Sequence, residues 1–348
     1  MNPILHTIAH PFWHPALKGA FILDWDGVLA DTRLDFTALR QRYFGGEIVP
    51  LTESAEAFPS PVREEILDAI RRVEMEGADK AKPVPGAHAF IAWLRDSGKP
   101  WAVVSRNCRD SILLAAERCG ITLPPILLSR EDPAVKPEPE ALFLAAQRLG
   151  AAPDDCVMVG DFVYDLLGAR RANIRCVLVE REDAEWARLA DAAYPTIRAL
   201  LAALRTPSPL VPWEYRGLTA ERGESYLRAV NRCLWRLPER DALRPALRLA
   251  RRGAAYLSVP EEARLRIEDW EGLDLPSRLI DRPLAEALQE VLTPRWPCVH
   301  VLTEPFTEPF TEPFTDSPLA LTPIAVPDIP GHELDAFLAE ASGNALSS

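Results

Sequence analysis

Two aspartates one residue apart, Asp24 and Asp26, close the apolar run of "AFILDWDGVLADT" (20–32). In an extended strand alternate side chains point the same way, so both carboxylates share one side and Trp25 takes the other. Paired carboxylates at a strand end suit metal binding, or a division of labour between a nucleophile and an acid/base. Gly27 follows and lets the backbone turn close to a ligand with no Cβ in the way. A helix cap plus a surface acid accounts for one aspartate but not for both. Further groups stand behind later apolar runs. Ser105 ends "WAVVS" and precedes Arg106 and Asn107, Lys136 lies in "AVKPEPE", and "GDFVYD" (160–165) carries Asp161 and Asp165. Alone, each has an ordinary reading, since a serine after a strand commonly caps a helix and Lys-Pro is commonly loop. The signal is their shared position behind strands.

The elements that would hold these groups are short apolar runs alternating with helical patterns between residues 20 and about 205. "AFILD", "WAVVS", "ILLS", "CVMVG" and "RCVLVE" are rich in Val, Ile and Leu without polar alternation, as strands buried on both faces are. Stretches such as "RDSILLAAERCG" and "EPEALFLAAQRLG" end near glycine stops. The alternation predicts an α/β fold with a doubly wound parallel sheet, whose carboxyl edge is where ligands bind. Residues 33–83 break the rhythm: charged, helical in pattern and interrupted at "FPSP" (58–61), they predict a small helical insertion after the first strand.

The set "DWDGVLADT", "VVSRN", "VKPEPE" and "GDFVYD" resembles, in order and in strand context, the four motifs of the haloacid dehalogenase superfamily of phosphohydrolases. The resemblance covers roughly residues 19–205. The 33–83 insertion is similar to the small helical cap of the phosphoglycolate-phosphatase-like subgroup. It implies that Asp24 attacks phosphorus and forms an aspartyl-phosphate, while Asp26 protonates the leaving oxygen and later deprotonates water. It further implies Mg²⁺ held by Asp24, the backbone carbonyl of Asp26 and Asp161, with Asp165, Gly27 and Asn107 in support. Ser105 and Lys136 would bind the transferring phosphoryl oxygens. Asp26 argues for phosphate esters over the dehalogenases of the superfamily, where halide leaves without a proton. The substrate so implied is a small phosphorylated metabolite. A sugar-phosphate mutase shares all four motifs, and nothing in the short cap suggests its extra acid/base machinery. Departures from the family pattern are Trp25, bulkier than expected, Arg106 directly after the motif serine, and Asn173 in place of a glycine.

The rest of the chain bounds the reading. A net charge of −12 over 348 residues argues against a generally nucleic-acid-binding surface. Six scattered cysteines without a CxxC pair predict free thiols in a cytoplasmic protein, and no apolar run approaches membrane-spanning length. Residues 1–18 read as an N-terminal arm. His6, His10 and His14 are spaced for one helical face, but Pro11 and Pro15 argue against that helix. The catalytic core is expected at 19–32 plus 84–205 and the cap at 33–83. Residues 206–302 are expected to be a separate, mainly helical region. Within it, 216–252 hold ten arginines against four acids, with Arg228, Arg232 and Arg236 expected on one helical face. Two complementary solvated faces are the preferred reading there, and a surface for an anionic or nucleic-acid partner is the alternative. Residues 303–348 open with three "TEPF" repeats and are expected to form an extended, mobile tail.

Overall fold

The computed structural model describes residues 11–270, 275–305, 321–326, 336–338 and 340. Two compact units emerge. One is Lys18–Thr206, and the other joins Pro207–Ser348 to Met1–Leu17.

The first unit begins with β1 (Ala20–Leu23), the insertion's entry strand β2 (Ala30–Asp31), helices α1 (Thr37–Phe44), α2 (Leu51–Ala55) and α3 (Ser60–Asp79), and the exit strand β3 (Lys82–Pro83). It continues as α4 (Ala87–Asp96), β4 (Trp101–Val104), α5 (Arg109–Cys119), β5 (Leu127–Leu128), α6 (Pro139–Leu149), β6 (Cys156–Gly160), α7 (Val163–Arg171), β7 (Arg175–Val179), β8 (Ala192–Tyr194) and α8 (Ile197–Arg205). The sheet order is β5-β4-β1-β6-β7-β8, all parallel. Every residue of β1, β6 and β7 is buried, which is why these strands read as continuous apolar runs. β8 has no such run, lies at the sheet edge, and was not anticipated. The chain departs from β1 to one side for β4 and β5 and later fills the other side with β6, β7 and β8. The carboxyl end of β1 is therefore the switch in strand order.

The insertion is helical, as its charge pattern predicts. The break at "FPSP" is the boundary between α2 and α3, and α3 tolerates Pro61 because it sits in the first turn. Leu39, Leu51, Ala55, Ile66 and Ile70 give the insertion a core of its own. Its two connections pair as the antiparallel β2–β3 ribbon, which places Lys82 in the exit linker.

The second unit adds to its helices a parallel sheet that the expectation of a mainly helical region did not include. After α9 (Arg216–Arg222) and α10 (Glu224–Val230), β9 (Cys233–Arg236), α11 (Leu243–Arg251), β10 (Tyr256–Pro260), α12 (Leu284–Leu292), β11 (His300–Glu304) and β12 (Thr322–Ala325) build a second parallel sheet in the order β11-β10-β9-β12. "CLWR" and "YLSVP" are short and ringed by arginines, so their strand signal is faint against the helical spacing of the charges. Arg228, Arg232 and Arg236 accordingly do not share a helix, since α10 ends before β9 begins. Neutralisation is partly internal: Arg236 pairs with Glu304 at 2.9 Å, Arg266 with Glu239 at 3.2 Å, and Arg228 with Glu224 at 3.5 Å. Residues 11–17 are not a free arm. Phe12 is buried in this unit's core, and the Trp13 and Leu210 backbones bond each other. The expected tail is also partly structured, because Thr303 and Glu304 end β11 and β12 forms the opposite edge strand, where Pro323 is tolerated. Most of the TEPF repeat, His6 and His10 lie outside the described residues. All six cysteines are free and buried. Among the described residues, no helix is long and apolar enough to cross a membrane.

Candidate active site

Beyond β1 the chain turns within six residues. The Trp25 carbonyl accepts from the amides of Leu29 and Ala30, and the Gly27 amide donates to the Ala30 carbonyl at 2.8 Å. Gly27 holds φ +72°, and a Cβ there would stand 2.3 Å from Asp161 Oδ2. Both the conformation and the close approach require glycine. Gly160 is needed for a similar reason, since a Cβ there would lie 2.3 Å from the Asp165 carboxyl carbon. The turn leaves Asp24 facing the tips of β4, β5 and β6, and Trp25 fully buried behind it.

Four groups expected from the sequence meet here. Lys136, 1% exposed, donates from Nζ to Asp24 Oδ1 at 2.7 Å and stands 2.6 Å from Asp165 Oδ1. Asp24, Asp161 and Asp165 present carboxylate oxygens within 4.8 Å of one another. Three buried anions so close repel, and the structure answers with Lys136 and with Arg181, which reaches Asp161 Oδ2 at 3.0 Å. Burial, then the neighbouring Asp165 charge, pushes the Asp24 carboxyl up to about 7, against the pull of Lys136. Burial followed by Asp24 and Asp165 raises Asp161 well above the usual carboxylate range. For Lys136 burial disfavours the ammonium, but Asp165 and Asp24 outweigh it and raise its pKa. Such a cluster of hard oxygen donors with excess negative charge fits a divalent cation such as Mg²⁺.

Asp26 stands apart from that cluster. Its Oδ1 accepts from the Thr32 amide at 3.1 Å and from the Thr32 hydroxyl. Burial raises its pKa, and the Thr32 bonds pull the other way without cancelling the effect. The two aspartates thus have different surroundings. Ser105 is buried and its Oγ accepts from the Asn107 amide at 3.2 Å. All eight expected residues except Gly27 line one cavity of ≈ 360 Å³ between the sheet edge and the insertion.

Residues 18–173 match the sequence model of the haloacid dehalogenase-like hydrolases. The chain carries a haloacid dehalogenase-like hydrolase domain. Hexitol phosphatase A of Escherichia coli is 32% identical over 114 residues, an overlap of 32% of this chain and 51% of that protein. The chain thus spans about half the length of that relative. Pyrophosphatase PpaX of Halalkalibacterium halodurans is 26% identical over 175 residues, covering 45% of this chain and 81% of that protein. A solved hydrolase from Pseudomonas syringae superposes with a TM-score of 0.47 at 20% identity, over 55% of this chain and all of that one.

The site includes groups the motifs did not announce. Arg181 follows β7, so the strand-tip logic that found the other groups extends to it. Thr32 had no signal, because its contact with Asp26 depends on the turn. Arg106, noted as a departure, donates to the Lys136 carbonyl, pairs with Glu53 at 2.6 Å and stacks over Tyr164 at 4.8 Å. From the insertion, Glu74 is buried, accepts from the Cys108 amide at 3.1 Å and pairs with Arg130. Asn173 stands at φ +56°, a left-handed position that asparagine tolerates better than most residues do.

Proposed function

We propose that the protein is a Mg²⁺-dependent phosphatase of small phosphate monoesters that works through an aspartyl-phosphate on Asp24. The observation that carries the reading is the Lys136 bridge between Asp24 and Asp165 beside the separately held Asp26. Asp24 Oδ attacks phosphorus as the bond from phosphorus to the leaving oxygen breaks. Lys136 keeps the attacking carboxylate oriented and screens it from the incoming anion. Asp26, whose burial favours the protonated form, gives its proton to the leaving oxygen. A water then attacks the aspartyl-phosphate at phosphorus, Asp26 takes its proton, and inorganic phosphate and the Asp24 carboxylate are regenerated. Ser105 donates to a phosphoryl oxygen. Asp24, Asp161 and Asp165 would hold the cation, which supplies positive charge against the transferring phosphoryl group.

The cavity's volume, near the lower end of the roughly 300–1,000 Å³ usual for small-molecule sites, fits a metabolite-sized substrate. The relatives named as phosphatases support the same reaction class. Hydrolysis is favoured over phosphoryl transfer between sugar hydroxyls by the insertion's own side chains. Among its described residues that line the cavity, Glu74 is the one acid, and its carboxylate is engaged by Arg130 and the Cys108 amide. Purified protein should hydrolyse an aryl phosphate with Mg²⁺ and lose that activity in EDTA. Equal turnover by Asp24→Asn would refute the assignment.

A further inference from the structure

The cavity is lined by four arginines, and three of them have partners. Arg106 pairs with Glu53, Arg130 with Glu74 and Arg181 with Asp161. Arg40, on α1 of the insertion, has no carboxylate within ion-pair distance among the described residues. Its guanidinium lies 5.8 Å from the Phe36 ring. Its Nε is shielded from solvent and donates to nothing. Two other donors on the wall of the same cavity are equally orphaned, the Tyr164 hydroxyl and Trp186 Nε1. A buried donor without an acceptor costs on the order of 1–3 kcal/mol, and native proteins leave few of them. Three in one cavity mark a place where acceptors arrive with a ligand. The Tyr164 phenol is raised by burial, while the charges of Arg106 and Arg40 pull it down, which puts both guanidiniums near that hydroxyl.

We infer that Arg40, with Tyr164 and Trp186, receives a second anionic group on the leaving portion of the substrate. The substrate class is then a phosphate monoester that also carries a carboxylate or a second phosphate. This rests on the phosphatase reading of the same site. The transferring phosphoryl group is met by Ser105 and Lys136, which leaves the charge of Arg40 for the other end. Leu34, Phe36, Val49 and Leu51 line the same cavity and suit the carbon skeleton between the two anions. A neutral polyol phosphate leaves Arg40 as unpaired as it is now.

The test compares matched pairs on the full-length protein: glycerol phosphate against phosphoglycerate, and a pentose monophosphate against the pentose bisphosphate. The first pair isolates a carboxylate, the second a second phosphate. Wild type should favour the more anionic member of at least one pair by tenfold or more in kcat/KM. Arg40→Gln should lower that preference by about tenfold to a hundredfold, the usual worth of one charge-assisted hydrogen bond. Arg42→Gln serves as the control, since Arg42 pairs with Glu65 on the exposed side and does not line the cavity; the preference should survive there. Wild type without preference, or Arg40→Gln that keeps it, would overturn the inference while leaving the phosphatase reading intact. If wild type hydrolyses neither the four esters nor an aryl phosphate with Mg²⁺, the phosphatase reading fails instead. Calorimetric titration of the same compounds into Asp24→Asn and Asp24→Asn/Arg40→Gln then decides the role of Arg40. Tighter binding of the more anionic member, lost in the double variant, upholds it, and equal binding overturns it.

Discussion

Lys136→Met removes the ammonium that bridges Asp24 and Asp165 while keeping an unbranched buried chain. Each contact, at 2.7 and 2.6 Å, amounts to about 6 kcal/mol of raw attraction at an effective dielectric near 20. That sum is a ceiling the variant never reaches, because a lower-energy response exists. The folded variant keeps one proton more than wild type on the carboxylate cluster. At pH 7, protonating a carboxyl whose unfolded pKa is near 3.9 costs about 3 units at 1.36 kcal/mol each, hence about 4 kcal/mol. This agrees with the ~3–5 kcal/mol typical of breaking a buried pair. The sign follows from linkage: the folded variant holds a proton that the unfolded chain releases above pH ~4, so its stability falls as pH rises. The deficit relative to wild type should shrink by about 1.4 kcal/mol per pH unit on acidification, from about 4 at pH 7 to about 1.4 at pH 5. Urea unfolding in EDTA across pH 5–8 measures it. Asp24→Asn removes one of the repelling charges, so the double variant should recover part of the loss. A deficit independent of pH, or no recovery with Asp24→Asn, would refute this electrostatic account and leave Lys136 a packing residue.

Asp26→Asn should slow hydrolysis of alkyl phosphates by about 10²–10⁴-fold and that of nitrophenyl phosphate far less, because a good leaving group needs no proton; parallel losses for both esters would remove Asp26 from the proton transfer. Gly27→Ala forces a Cβ into Asp161 at a left-handed φ, so the Mg²⁺ concentration for half-maximal activity should rise at least tenfold, and an unchanged requirement counts against the role of Asp161. His14 lies buried in the second unit, where burial lowers its pKa from 6.5 to about 4. The unfolded chain takes up a proton below pH 6.5 that the folded unit refuses, so stability is lost between pH 6.5 and 4, by no more than about 3 kcal/mol. In His14→Gln the unfolding midpoint should change less over that range, and identical pH profiles would dismiss the histidine.

What was legible in the sequence followed from strands buried on both faces. β1, β6 and β7 announce themselves because, Arg175 aside, they carry no charged or polar side chain larger than a thiol, and the tips of β1 and β6 located Asp24, Asp26 and Asp161. Lys136 and Asp165 were found through their neighbours, yet the bridge between Lys136 and the two aspartates depends on the fold. Thr32 and Glu74 were invisible, since a turn and a helix docking decide what they touch. The second parallel sheet was missed because β9 is four residues long and Arg236, at its end, fell into helical register with Arg228 and Arg232. Hydrophobic periodicity needs length, and charge spacing misleads where a strand interrupts it.

The central claim is that Asp24 carries the phosphoryl group, and acid-quenched turnover followed by mass spectrometry tests it most directly. During hydrolysis of a phosphate ester with Mg²⁺, the peptide containing Asp24 should gain one phosphoryl group that disappears when substrate is exhausted. The adduct should be absent from Asp24→Asn, together with turnover. Rapid turnover by wild type with no adduct in a quench faster than the reaction cycle, or an adduct on another residue, would contradict the account.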